Sequence, residues 1–467
     1  MRYWRNFNVA QHANNKLAPD ERLKLGDGAR PLFLIAAVVG VIGIIVAILL
    51  GHHSESGFQQ FWFCYLAAIV FFLSIAIGCL FFVMMQYLSA AGWSVVVRRV
   101  AEAYTAWIPW LGIACIPIII LVAIQNPVLY RWASPMSTAS PEAIAAAKAS
   151  KPEVEEPAHP ETSAEATKPS APEKWGTLDP ITLQKRIQFP YWLNPWFFAV
   201  RIIGYFAVWT LMARFYRKLS GLQDENGDPN LTRRMQKWAG FHMVVLGLTL
   251  TGAAGDLLMS LDPHWYSTMW AVYYFAGCAL VSFAVLIITV YLLQRAGYLR
   301  SSITTEHYHD LGKYLFGFTF FWGYIAFGQY MLLWYANIPE EIQWFSRHGV
   351  TTVSANFTGW CYVMVAILFG QLLIPYAALL TRHTKRVLSV LFFLAIWQLA
   401  FHFLDNYWII MPEFPGKFGA SVIITSIAAY AGVGGILLAV LVRTLAGRSL
   451  LPVADPRLDV SLAFQNF

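Results

Sequence analysis

KWAGFHMVVLGLTLTGAAGDLLMS, residues 237–260, is long and apolar enough to cross a lipid bilayer as a helix. It carries His242, Thr249 and Asp256, which are seven residues apart. Seven residues turn a helix by about 700°, so the three side chains lie on one stripe. Ionisable groups are costly at membrane depth and normally face a bundle interior. This stretch therefore predicts a membrane helix whose polar stripe either ties helices together or carries out chemistry.

The composition places the whole chain in the same class. Hydrophobic residues make up 58% of the 467 residues and charged residues only 13%. Soluble domains carry about 25% charged residues, so a soluble enzyme is excluded. The net charge of +7 does not indicate nucleic-acid binding, because the basic residues are spread over short loops between apolar stretches. We expect an all-α polytopic membrane protein.

The apolar stretches predict ten transmembrane helices, since each has roughly the 20 residues that about 30 Å of hydrocarbon requires. They lie at 31–51, 59–86, 106–126, 195–215, 238–260, 267–293, 314–336, 355–380, 387–411 and 420–443. Short loops on the predicted outer side hold only Arg347 and Lys417, so the positive-inside rule places both termini, 1–30 and 444–467, in the cytoplasm.

Two segments between the predicted spans have distinctive compositions. The long outer loop, 127–194, contains an insert, 134–174, rich in Ala, Pro, Glu, Lys and Ser, and we expect it to be disordered or to lie on a partner. The amphipathic segment GWSVVVRRVAE, 92–102, precedes the third span. It forms either the first turns of that span or a helix on the membrane surface.

A proton path is the first functional hypothesis. The i, i+3 and i, i+4 steps place Gln398, His402 and Asp405 on one face of the ninth span. We expect Asp256, His402 and Asp405 to form the outer half of the path, with His242 on the inner half and Thr249 between them. Carboxylates and imidazoles have tunable pKa values in such sites. The alternative is that His402 and Asp405 are an internal hydrogen-bonded pair that fixes the helix.

A quinone head group is the second hypothesis. Polar residues gather near the predicted outer ends of the spans, where they could hold such a group. The candidates are Arg201, Gln329, Tyr330, Glu340 and Gln398.

We expect no metal or haem bound by this chain itself. The five cysteines lie in apolar stretches without a CxxC pair, which argues against an iron–sulfur or zinc site. A transmembrane haem needs two axial ligands at matched depth, whereas His242 and His402 are predicted near opposite faces of the membrane.

Four segments carry a resemblance to a known family. They are GWSVVVRRVAEA at 92–103, AGDLLMSLDPHWYSTMW at 254–270, FGFTFFWGYIAFGQYMLLWYANIPEEIQWF at 316–345 and DPRLDVSLAFQN at 455–466. Together they resemble the ActF subunits of bacterial alternative complex III, a quinol:cytochrome c (or quinol:oxidase) oxidoreductase. These subunits belong to the NrfD/polysulfide reductase membrane-subunit superfamily.

The resemblance implies a fold and partners. It implies two four-helix bundles. Spans two to five form the first bundle, whose last two spans lie in 195–260, and spans six to nine, 267–411, form the second. The first and tenth spans flank the bundles. It implies the bacterial inner membrane and assembly with a second NrfD-like subunit, an iron–sulfur protein, multi-haem and mono-haem cytochromes and small membrane subunits. Menaquinone or another quinone is a possible ligand. The alternatives are a stand-alone secondary transporter and a purely structural membrane anchor.

Overall fold

The computed structural model describes residues 21–26, 28–149, 178–350 and 359–466, and throughout these ranges the regular structure is helical. In chain order the helices are α1 (Ala29–His52), α2 (Phe58–Leu88), α3 (Val95–Tyr104), α4 (Trp107–Ala123), α5 (Pro141–Ala149), α6 (Pro180–Gln188), α7 (Pro195–Asn226), α8 (Pro229–Leu257), α9 (Trp270–Arg295), α10 (Thr305–Ala336), α11 (Pro339–Arg347), α12 (Trp360–Ile367), α13 (Ile374–Leu380), α14 (Arg382–Arg386), α15 (Leu388–Ile410), α16 (Ala420–Ala446) and α17 (Leu458–Leu462).

The predicted class, an all-α polytopic membrane protein, is confirmed. In the described ranges, nine helical segments are long and apolar enough to cross a membrane. They coincide with nine of the ten predicted spans. The remaining predicted span, 314–336, lies within α10, which has 32 residues but does not reach the same apolarity. Its many aromatic residues and glycines are less hydropathic than the aliphatic residues of the other helices.

The membrane helices pack as two groups of four. In the first bundle α2 contacts α4, α4 contacts α7, α7 contacts α8, and α8 returns to α2. In the second bundle α9 contacts α10 and α15, and the α12–α13 segment joins α10 to α15. Helices α2 and α9 are the most buried spans and pack against each other, so the interface between the bundles is the centre of the molecule.

Helices α1 and α16 pair beside the first bundle through close backbone contact. A Cβ on Gly43 would lie 2.5 Å from the backbone nitrogen of Gly432, and a Cβ on Gly435 would lie 2.5 Å from that of Gly40. Only glycine allows this approach, as in other small-residue membrane interfaces.

Polar caps determine where α7 and α8 begin. Asn194 and Asp228 each accept hydrogen bonds from backbone N–H groups of the first turn, and a proline follows each cap. Gly227, with φ of 66°, ends α7 in the left-handed region, so the chain turns back into α8 within a few residues. Both helices thus extend beyond the predicted spans.

The amphipathic segment before the third span does not lie on the surface. All ten residues of α3 are buried, and α3 packs against α2, α9, α16 and α17. It is separated from α4 by a two-residue turn. The surface alternative is therefore wrong, because the C-terminal tail covers the polar face of α3 that sequence patterning leaves open.

The insert in the long loop is helical in its first part. Ser140 accepts a hydrogen bond from Ala143, and α5 continues through the alanine-rich residues to pack against α6. Within the insert, Pro141–Ala149 is therefore a helix, whose alanines favour that structure and which contacts α6. The rest of the insert, 150–174, lies outside the described residues.

Candidate functional site

Helix α15 presents a row of polar side chains to the interior of the molecule. We call Gln398, His402, Asp405 and Asn406 the α15 polar row. All four are almost completely buried. Their spacing of three and four residues keeps them on one helical face, as the sequence predicts for the first three.

His402 connects the row to the first bundle. Its Nε2 lies 2.8 Å from the Ser74 hydroxyl on α2 and 3.0 Å from the Asn406 amide. Its ring lies against Gly277 of α9, where an added Cβ would be 2.9 Å from the imidazole Cε1. Its Nδ1 is buried without a hydrogen-bond partner in the described ranges and lies 4.0 Å from Asp405 Oδ2. That separation is too long for a hydrogen bond and is of the size that one water molecule or a small rotation closes.

Asp405 faces α9 and the α12–α13 segment. The Tyr273 hydroxyl donates a hydrogen bond to Asp405 Oδ1. The Gln371 and Trp322 side chains lie beside the same carboxyl group without hydrogen-bond geometry to it. The carboxyl therefore sits in a buried polar environment with one well-formed hydrogen bond.

Gln398 continues the row towards the middle of the second bundle. Its amide donates to the Thr319 hydroxyl at 2.9 Å and to the Gln371 carbonyl at 3.1 Å. Gln371 lies in a π-helical turn, Leu368–Leu373, between α12 and α13. Such turns are frequent at functional sites, because the extra residue re-aims a side chain and frees backbone groups. Both side-chain polar atoms of Gln371 are buried without a partner in the part of the chain described.

At the end of the molecule that carries the 127–194 loop, the row meets a network of charges. Glu413, eight residues beyond Asp405, accepts a hydrogen bond from Arg347 Nη1 at 3.1 Å. Arg347 also pairs with Asp262. The burial of Arg347 lowers its pKa, but the carboxylates of Glu413 and Asp262 outweigh this and raise the pKa above its usual value. We call this end the loop side.

His264 extends the network to the long loop through its contact with Asp179. Burial raises the pKa of Asp179, but the hydrogen bonds from His264 and Thr182 outweigh it, so the pKa lies below its usual value. Sequence reasoning missed Arg347, Glu413 and Asp179 as members of a site. The available signal was the position of Glu413 just beyond the end of the predicted span 387–411, which carries Asp405.

The polar side chains of the α8 stripe form hydrogen bonds with side chains of α7. His242 Nδ1 lies 2.9 Å from the Tyr216 hydroxyl. Thr249 accepts a hydrogen bond from the Trp209 indole at 2.8 Å and donates to the Val245 carbonyl at 2.7 Å.

Asp256, the third residue of the stripe, accepts three hydrogen bonds from α7. Arg201 donates to both of its carboxylate oxygens, at 2.7 and 2.8 Å. Tyr205 donates a third hydrogen bond at 3.1 Å. Asp256 and His242 therefore belong to the first bundle, whereas His402 and Asp405 belong to the second.

The quinone candidates do not form one hydrogen-bonded group. Arg201 is paired with Asp256 in the first bundle, and Gln398 lies in the interior of the second. Tyr330 stacks on Trp334 at 6.4 Å between ring centroids, at the loop-side end of α10. The Glu340 side chain lies outside the described part. Gln329 fits a quinone carbonyl best, since it is buried and its Nε2 donor has no partner among the described residues.

A second charged cluster lies at the opposite end, which we call the tail side. Arg98 of α3 pairs with Asp455 of the C-terminal tail, and Arg99 donates to Asp224 of α7 at 2.6 Å. Glu102 lies 3.5 Å from Arg98 and 3.8 Å from Arg99. Burial raises the pKa of Asp455, but the nearby arginines outweigh it and hold the pKa below its usual value. Sequence reasoning used these arginines only to orient the chain.

The α15 polar row combines ionisable groups with neutral polar groups, whereas the two charged clusters are built mainly from arginines and carboxylates. It contains a carboxyl, an imidazole, amides and hydroxyls in the membrane interior, and several of its polar atoms are buried without partners in the ranges described. Buried polar groups in proteins normally have partners, including ordered water. The row is therefore suited to hold water and to pass protons between titratable groups.

No family model matches this chain, and no curated protein matches it.

Proposed function

We propose that this chain is an integral membrane subunit of a quinol-oxidising respiratory complex of the alternative complex III type, in the bacterial inner membrane with cytoplasmic termini. Its own contribution is a membrane scaffold and a proton-conducting path through the α15 polar row. The four resembling segments support the family, and the multi-pass helical fold is compatible with it.

One observation supports the proton path above all others. His402 Nδ1 is buried, has no partner among the described residues and faces the Asp405 carboxyl across 4.0 Å. A buried imidazole and carboxyl at this distance can exchange a proton through one water molecule. A pair that served only to fix the helix would be joined by a direct hydrogen bond.

The path runs along α15 and ends in the loop-side network. From Gln398 to Ile410 the helix rises roughly 18 Å at 1.5 Å per residue, which is more than half of the hydrocarbon thickness, and the turn Met411–Glu413 follows it. Ser74 and Tyr273 supply hydroxyls on either side of His402 and Asp405. Beyond Asp405, the path requires water over the remaining distance to Glu413.

Quinone binding is a second candidate, and the partnerless Nε2 of Gln329 favours it. A quinone supplies the two-electron chemistry, while Gln329 would hold one carbonyl oxygen by hydrogen bonding. In the assembled complex, Gln329→Leu should raise the KM for quinol and leave kcat nearly unchanged. An unchanged KM would argue against this site.

The test of the proton path uses vesicles that contain the assembled complex. Asp405→Asn keeps size and hydrogen bonding but removes the titrating proton. We expect quinol oxidation to continue while the number of protons translocated per electron falls. Asp256→Asn is the comparison, since it makes the same change to a carboxyl of the first bundle that Arg201 and Tyr205 hold. In complex that assembles, it should leave the number of protons translocated per electron unchanged.

Three other outcomes would contradict the proposal. Unchanged proton stoichiometry in Asp405→Asn, with normal assembly, would leave the chain a structural anchor. An equal loss in both variants would contradict confinement of the path to the second bundle. A purified chain that moves solute without haem-bearing partners would favour a stand-alone transporter.

A further inference from the structure

An open groove lies between the α1–α16 pair and the first bundle, on the tail side. Its walls come from α1, α4, α7 and α16, and its cavity volume is about 840 Å³. Apolar side chains such as Val41 and Trp110 line it and remain about half exposed, at 54% and 48%. This volume lies within the range of about 300–1,000 Å³ that small-ligand sites occupy.

Four arginines line the tail-side end of the groove. They are Arg214, Arg217, Arg443 and Arg448. Arg448 donates a hydrogen bond to the Arg217 carbonyl at 2.7 Å, which places two of the guanidinium groups close together. Arg214, Arg443 and Arg448 are exposed and Arg217 is half-buried.

These four cations have no carboxylate partner within the ranges that the structure covers. Glu102 lines the neighbouring cleft together with Arg217 and Arg448, and it also lies 3.5 Å from Arg98 and 3.8 Å from Arg99. Asp224 and Asp455 are paired with Arg99 and Arg98. The groove therefore has an excess of positive charge at one end and an apolar wall along its length.

We propose that this groove is a binding site for an anionic phospholipid of the tail-side leaflet. The phosphate lies among the four arginines, and the acyl chains lie along the apolar wall. From Ile436 to Ala446 the α16 wall covers roughly 15 Å at 1.5 Å per residue, which is about the depth of one leaflet. Basic pockets between membrane helices recognise lipid head groups through this combination of charge and apolar surface.

The test uses native mass spectrometry of the full chain in detergent, with phosphatidylglycerol as the probe and phosphatidylcholine as the neutral comparison. Phosphatidylglycerol should bind more tightly. The double variant Arg214→Gln/Arg443→Gln changes two exposed side chains, so it should fold normally. We expect its dissociation constant for phosphatidylglycerol to rise on the order of thirtyfold.

The matched control is Arg233→Gln/Arg234→Gln, which removes the same charge from two exposed arginines at the start of α8, outside the groove. It should bind phosphatidylglycerol as the native chain does. An equal loss in the control, or equal affinity for phosphatidylcholine, would overturn the proposal.

A second measurement identifies the occupant in the membrane. A photo-crosslinking residue at Val41 should capture phospholipid. Capture of a polypeptide instead would show that a helix of another protein fills the groove and would also overturn the proposal.

Discussion

The polar stripe of α8 and the polar row of α15 look alike in sequence but differ in their partners. Each places a histidine and an aspartate on one face of a membrane helix. On α8, Asp256 receives three hydrogen bonds, two of them from Arg201. On α15, Asp405 receives one well-formed hydrogen bond and His402 keeps a buried nitrogen without a partner in the described chain.

The difference distinguishes polar groups that hold helices together from polar groups that can exchange protons. The bidentate guanidinium of Arg201 holds the Asp256 carboxyl and ties α8 to α7, because removal of either partner leaves the other buried and unpaired. A carboxyl beside a tyrosine and a nearby imidazole can change its protonation state at lower cost. A polar stripe in a membrane helix therefore predicts that its side chains face the interior of the protein. The hydrogen-bonding and charged groups on neighbouring helices determine whether the stripe is structural or functional.

The largest effect should follow from breaking the α8 ion pair. Arg201→Leu leaves Asp256 buried without its counter-charge and should lower the free energy of unfolding by about 3–5 kcal/mol. The double variant Arg201→Leu/Asp256→Leu removes both charges and should recover much of this loss. Thermal unfolding in detergent measures both. A double variant as unstable as the single one would contradict a role in cohesion.

A smaller effect should follow from crowding the α15 row. Gly277→Ala places a methyl group against the His402 ring and should cost about 1–3 kcal/mol, because the imidazole has to shift. Proton translocation should fall together with stability. Gly247→Ala is the control, since a Cβ there meets open space on α8. Equal stability and equal proton translocation in the two variants would show that the position of the His402 ring does not matter for function.

Removal of one hydroxyl group from each site should distinguish the α8 stripe from the α15 polar row. Thr249→Val removes the acceptor of the Trp209 indole, and Ser74→Ala removes the hydroxyl beside His402. Each should cost about 1 kcal/mol of unfolding free energy. Only Ser74→Ala should reduce proton translocation in vesicles. A matching reduction in Thr249→Val would extend the proton path to α8.

The smallest effect concerns the pH dependence of the loop-side network. Because the pKa of Asp179 is lowered in the folded state, its stabilising contribution is present above the unfolded pKa of about 4 and is lost as pH falls through the lower folded value. Asp179→Asn should remove this dependence and cost less than about 1 kcal/mol at pH 7. Melting temperatures of both proteins between pH 7 and pH 3 measure it, and parallel curves would contradict it.

The residues of the α15 polar row that share a helical face could be predicted from the sequence. Their hydrogen-bond partners on other helices could not. The spacing of Gln398, His402 and Asp405 placed them on one face, and the structure places that face in the interior. Their partners come from positions more than a hundred residues away, such as Ser74 and Tyr273. A single sequence contains no signal for contacts between helices that the connecting loops do not determine.

The two alternatives for 92–102, the first turns of the third span or a surface helix, could not be separated from the sequence for the same reason. A segment with valines on one face and Arg98, Arg99 and Glu102 on the other is amphipathic. The C-terminal tail covers the charged face with Asp455, so α3 is buried on all sides. Periodicity detects which residues share a face but does not detect a distant segment that packs on it.

By itself, the sequence determined the class of the protein, the position of its membrane helices and the faces on which polar residues lie. These follow from the cost of exposing backbone and charge to hydrocarbon, which acts on each segment alone. Only the tertiary structure decided that Asp256 is neutralised by Arg201, that His402 and Asp405 are left with few partners, and that four arginines meet at one groove. Those outcomes depend on which helices become neighbours, because a charge in a membrane is governed by the groups that surround it.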